Sequence, residues 1–224
     1  MRAGTGGCRY RSGMAVVMLA ALLAGCGRVE PPAKARPRAL TGPSEAETRT
    51  CLADLSRMGI RFSPLVDHDY GTGCGLVGAV QLVDIGVPVA GLGAVRCGEA
   101  RAFVGWVRNA VVPAAYQMLG SELARVDSFG SYACRNVVGS AAAAGRRSGH
   151  AVANAIDVGG FVLKDGRRIT ILNDWNAPDP ATRQFLQVIH ASACRRFGTV
   201  LSPGYNAAHA NHLHLEDDRA GFCR

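Results

Sequence analysis

The sequence has no apolar stretch able to span a bilayer: its clearest run, Met14 to Leu23, is far shorter than the roughly 20 residues a transmembrane helix needs. It has no Cys-x-x-Cys pair, which argues against a cysteine-ligated structural zinc. It has no His-Glu-x-x-His, and so lacks the zinc motif that brings its own general base. No serine stands in a Gly-x-Ser-x-Gly setting, which removes the nucleophile-elbow hydrolases. A net charge of +8 would suit a nucleic-acid partner, but no basic-aromatic module accompanies it.

What is present begins with a leader. Arg2, Arg9 and Arg11 precede the Met14 to Leu23 run, the pattern of a secretory signal over residues 1–25. It ends in Leu23-Ala24-Gly25-Cys26, which resembles a bacterial lipobox with Cys26 as the acylated first residue of the mature chain. A chain held this way is anchored to a membrane, not threaded through it. Gly27 resembles the outer-membrane sorting preference of Gram-negative lipoproteins, so a periplasmic, outer-membrane lipoprotein is expected. Residues 26–44 carry Pro31, Pro32, Pro37 and Pro43 among Lys34, Arg36 and Arg38, a stiff, extended tether that cannot bury a core. Residues 45–224 have the length of one domain. Loss of the three leader arginines takes the net charge from +8 to +5, still suited to an anionic envelope polymer such as peptidoglycan.

The chemistry concentrates in two places, Ser148-Gly149-His150 to Asp157 and His212-Leu213-His214. A catalytic zinc takes three protein ligands and leaves a position open. If Ile156 to Leu163 is a strand, Asp157 projects from one face, and His150 in the loop before it can swing to within about 2 Å of the same ion. If His212 to Glu216 is a second strand, His212 and His214 share a face, one able to bind metal and the other standing beside it.

Ser148, His150, Ala155 and Asp157 resemble the Ser-x-His-x-x-Gly-x-Ala-x-Asp signature of the zinc D-alanyl-D-alanine peptidase group, and His212-Leu213-His214 resembles its His-x-His. Ser131-Tyr132-Ala133-Cys134-Arg135-Asn136, Asp174-Trp175 and Ala193 to Leu201 resemble the bacterial extensin-like C-terminal domain family, from about Cys51 to Cys223. The resemblance implies a peptidase-like α+β fold, Zn2+ held by His150, Asp157 and His214, and hydrolysis of amide bonds in peptidoglycan peptides. It implies that Arg135 contacts substrate and the developing oxyanion and that His212 stabilises the transition state or tunes the metal water. The family usually has Gly where Ala153 stands, so the turn between the first two ligands is expected to use ordinary backbone angles. It usually has an acid where Asn211 stands; the general base then has no owner, with Glu216 and His209 as candidates. A module that keeps the fold and binds the envelope without turnover is the alternative.

The rest of the chain reads as α+β, a central antiparallel sheet flanked by helices. Cys51 to Met58 has helical spacing, Ile60 to Val66 is a strand, Gly71 to Gly75 a turn, and Leu76 to Val89 one or two short strands. Arg101 to Leu119 is the clearest helix, stopped by Gly120 and bent or restarted at Pro113, with a core-facing aromatic stripe. Leu123 to Phe129 is a strand. Ala155 to Leu163 and Arg168 to Leu172 form a hairpin on Asp165-Gly166. Asp179 caps a helix that starts at Pro180 and ends at Gly198, carrying a structural His190. Thr199 to Leu201 is a short strand. Six cysteines belong to the domain, Cys51, Cys74, Cys97, Cys134, Cys194 and Cys223; an even count in an exported chain predicts up to three disulfides. Cys194–Cys223 and Cys74–Cys97 are the expected pairs.

Overall fold

The computed structural model describes residues 42–224. The signal, Cys26 and all of the tether before Gly42 lie outside the described residues.

Helix α1 (Glu45–Arg57) opens on a capping box: Glu47 N–H donates to Ser44 Oγ at 3.2 Å and Ser44 N–H to Glu47 Oε2 at 2.8 Å. It starts ahead of Cys51 because polar capping residues carry no apolar periodicity. Short strands follow: β1 (Arg61–Pro64), β2 (His68–Gly71), β3 (Cys74–Leu76), β4 (Ala79–Asp84), β5 (Val89–Ala90) and β6 (Val95–Arg96). β1, β4 and β6 form one antiparallel sheet; β2 and β3 form a separate hairpin around the expected Gly-rich turn.

Helix α2 (Cys97–Trp106) continues through one π turn (Val107–Val111) into α3 (Val112–Leu119). A second α-helical segment thus starts at Val112 with Pro113 in its first turn, as expected, joined to the first through the π turn. Val112 N–H reaches back to Val107 O, and this wide turn comes just ahead of a ring that would otherwise strike the carbonyl four residues earlier. Gly120 ends it in the left-handed region at φ 69°. The aromatic stripe faces inward as expected. Phe103, Trp106, Phe161 and Phe185 are fully buried, and Trp106 Nε1 donates to Ile189 O at 2.9 Å.

The main sheet holds β7 (Leu123–Gly130), β8 (Ala155–Leu163), β9 (Arg168–Thr170), β10 (Thr199–Leu201), β11 (Leu213–Glu216) and β12 (Phe222–Cys223), with β5 at one margin. Its order is β12-β10-β11-β8-β7-β5, and β9 also pairs with β8. The middle is antiparallel, as the sequence predicts, but β5 lies parallel to β7 and β12 parallel to β10. The sheet is mixed in a fold that is α+β. The Asp165-Gly166 hairpin forms, with Leu163 N–H on Arg167 O at 2.9 Å. Its second arm stops early: Ile171 and Leu172 begin α4 (Ile171–Asp174), because Thr170 Oγ1 caps Asn173 N–H at 3.2 Å. Asp174 turns back onto Thr170 N–H at 2.7 Å as a local cap. Helix α5 (Pro180–Cys194) starts on Asp179 as predicted and ends before Gly198. That glycine serves a close approach instead: a Cβ there would meet Asp218 O at 1.9 Å. Among the described residues no helix is long and apolar enough to cross a membrane.

Three disulfides form. Cys194–Cys223 is as expected, but Cys74 pairs with Cys134 and Cys97 with Cys51, correcting the Cys74–Cys97 expectation. β6 runs directly into α2, which sets Cys97 against α1, whereas the β2–β3 hairpin leans on the segment after β7.

Candidate metal centre

Three elements bring the site together. Ser148 starts a single 3-10 turn, Gly149–Val152, with its Oγ accepting from His150 N–H at 3.4 Å, and this turn places His150 at 2 % exposure. The turn closes through Ala153, at φ 54° and ψ 27°. The expectation of ordinary angles there is corrected: the chain must reverse within one residue to enter β8, and Ala153 takes the left-handed conformation at a cost of about 1–2 kcal/mol. Asp157 follows on β8, between Ile156 and Val158, which face the core. Antiparallel pairing of β8 with β11 then sets His214 directly opposite Asp157.

The side chains converge on one point. Asp157 Oδ1 lies 2.9 Å from His214 Nδ1 and 3.2 Å from His150 Nε2, and the two nitrogens are 3.1 Å apart. The outer ring atoms are engaged elsewhere. His150 Nδ1 donates to Ser131 O at 2.9 Å, and His214 Nε2 reaches Glu216 Oε2 at 3.4 Å. With those protons accounted for, neutral imidazoles turn two lone pairs towards each other and towards a carboxylate oxygen. Such a triangle needs a cation between its corners, either a proton or a metal.

The electrostatics point the same way. Burial would raise the Asp157 carboxyl, but hydrogen bonds from His150 and His214 outweigh it and hold the group far below the usual carboxylate range. Burial would likewise lower His214, but Asp157 and Glu216 overcome it and raise the imidazole to about 9. The spacing suits a metal as well as a proton. Bonds of roughly 2.0–2.1 Å to a tetrahedral zinc put ligand atoms about 3.3 Å apart, close to the observed edges. His150, Asp157 and His214 are all buried and could hold one ion.

The remaining expected residues surround this triangle. His212 Nε2 is 3.5 Å from Asp157 Oδ1, while its Nδ1 donates to Asn211 Oδ1 at 2.8 Å. Burial is the main cause that lowers the His212 pKa, so it stands neutral with a lone pair facing the cluster. Arg135 Nη2 lies 3.6 Å from Asp157 Oδ2. His209, packed 5.1 Å from the His212 ring, is lowered to about 4 by burial and by His212 and His214. A groove of about 650 Å³ opens over these groups, with Arg146, Arg147, Val138 and Tyr205 in its walls.

The family model for the extensin-like protein C-terminus matches residues 49–224. The chain belongs to that family. Neither a curated protein nor a solved structure matches it. In this extensin-like domain His190 packs edge-on to Trp175 and beside the sulfurs of Cys194 and Cys223 at 3.7 and 3.8 Å.

Glu216, a candidate base in the sequence, meets His214 on the ring nitrogen facing away from Asp157, the position from which a carboxylate orients a ligating imidazole. Gly149 makes room for it: a Cβ there would lie 2.4 Å from the Glu216 carboxyl. The signal for this partnership was the period of a strand, which puts residues two apart on one face. The Ser131 carbonyl that orients His150 left no sequence signal, because any residue supplies one.

Proposed function

We propose that this extensin-like domain is a zinc-dependent peptidase of the cell envelope, hydrolysing amide bonds in peptidoglycan peptides. The observation that carries the reading is the His150–Asp157–His214 triangle, whose inner lone pairs call for a cation and whose outer nitrogens are already held. A lipid on Cys26 would keep the domain at the outer membrane, facing the polymer.

When bound, zinc supplies Lewis acidity and an acidified water. The chain's own residues do the rest. His212, neutral and with Nε2 towards the cluster, can take up a proton, which gives the general-base role an owner that Asn211 cannot be. Arg135 offers a planar fork of donors to a developing oxyanion. Arg135, Arg146 and Arg147 outnumber Glu216 and Asp218 in the groove wall, which suits acidic stem peptides. The test is digestion of purified peptidoglycan by the zinc-loaded protein. New amino groups, abolished by a chelator and restored by zinc, are expected; an undigested polymer would leave the non-catalytic binding module.

Two predictions belong to the centre itself. Glu216→Gln keeps shape and fold but weakens the hold on His214 Nε2, so zinc affinity should fall about 10–100-fold, read by competition with a chromogenic chelator. Unchanged affinity would mean that Glu216 does not orient the ligand. The second concerns protons. Below about 9 the metal-free His214 is protonated, so zinc must displace that proton. Affinity should rise about tenfold per pH unit through neutrality and flatten above about 9, and calorimetry at pH 7 in buffers of differing ionisation heat should show about one proton released. A pH-independent affinity would contradict this.

A further inference from the structure

Beside the groove stands a ribbon the catalytic reading leaves unused. All four residues of β2, His68–Gly71, are exposed, and Tyr70 is 53 % exposed. Its rings form a tilted cluster with a neighbour: His68 and Tyr70 have centroids 4.3 Å apart at 51°, and Tyr70 and Tyr132, from the segment after β7, 5.7 Å apart at 39°. A lone two-stranded ribbon is marginal in water. This one is pinned twice, by the Cys74–Cys134 disulfide and by Arg147 Nε donating to Thr72 O at 2.8 Å. The fold thus holds firmly a ribbon whose exposed strand gives little to the core and mainly presents aromatic faces.

Its position ties it to the metal centre. Tyr132 follows Ser131, whose carbonyl orients His150, and Arg135 lies three residues further on. Arg147 touches the ribbon and also lines the groove. Arg147 is thus common to the ribbon and the groove wall.

We infer that the His68, Tyr70 and Tyr132 rings form a subsite for an uncharged glycan, the N-acetylhexosamine strand that carries the peptide; this rests on the peptidoglycan reading of the groove. The charge pattern separates the two halves of such a substrate. In the groove Arg135, Arg146 and Arg147 outnumber Glu216 and Asp218, whereas residues 65–76 hold Asp67 and Asp69 and neither lysine nor arginine. The ribbon's own residues thus offer an anion no cation, and Arg147 stands only at its edge. A neutral pyranose needs none: the C–H face of its ring packs on an aromatic face while its hydroxyls meet polar groups such as Asp69 and Arg147 at the rim. The wall polymer joins both chemistries in one molecule.

The probe is a soluble β-1,4-linked N-acetylglucosamine hexamer, titrated into the mature protein and followed by calorimetry and by the tyrosine ring resonances. Binding is expected with and without zinc, and in His214→Ala. Tyr70→Ala, on an exposed side chain, should weaken it about tenfold; Tyr70→Phe should retain it, since the ring face makes the contact. On intact sacculi Tyr70→Ala should raise KM about tenfold, with kcat on a soluble stem peptide unchanged. Absence of hexamer binding, or binding indifferent to Tyr70→Ala, overturns the inference, as does capture of a proline-rich peptide of residues 27–44 in place of the hexamer. Failure of the hydrolase reading is a separate result: neither sacculi nor soluble peptide is cut, while the hexamer still binds.

Discussion

His214→Ala is expected to bind no zinc where the unaltered domain binds about one per chain, and to lose hydrolysis by about three orders of magnitude or more. The size of the effect follows from the geometry. His214 Nδ1 is one corner of a triangle with 2.9 and 3.1 Å edges, and its removal leaves one imidazole and a carboxylate, too few for a site that must also keep a position open. His150→Ala should do the same from the other corner. The fold should survive both changes, since Leu213 and Leu215, which carry β11 into the core, are untouched. Elemental analysis of the purified variants, with circular dichroism as the check on folding, reads the outcome. Retention of one zinc in both folded variants would place the metal elsewhere and remove the basis for the peptidase reading.

Removing the Cys74–Cys134 bridge should cost about 4 kcal/mol of stability, the chain-entropy value for cross-linking residues 60 apart. The Cys194–Cys223 bridge closes 29, about half that length, and should cost about 0.6 kcal/mol less. Urea midpoints of Cys74→Ala/Cys134→Ala and Cys194→Ala/Cys223→Ala variants give the comparison. The first should also loosen the site, because Cys134 adjoins Arg135 and lies three residues after the carbonyl that orients His150. A midpoint unmoved by the first pair would mean that the β2–β3 hairpin docks without its covalent tie.

Much of the site was legible because strands and turns have fixed periods. His150, Asp157, His212 and His214 all lie within reach of one another, as their spacing predicts. The helices on the Arg101 and Asp179 signals form, since capping and apolar spacing are local properties. Ala153 was misread for a related reason. Residue type states a preference for backbone angles, but the demand that the chain turn from the His150 turn into the next strand within one residue overrides it.

The sequence by itself determined the residue types of the candidate centre, the elements that carry them, the even set of six cysteines and an α+β composition, all set by neighbours along the chain. Only the tertiary structure decided which cysteines pair, that both margins of the sheet run parallel, and that Asp157 and His214 face each other across β8 and β11. Those facts depend on which distant segments lie side by side. Local chemistry cannot fix that choice, because it is made by burying the apolar faces of β8, α2 and α5 together.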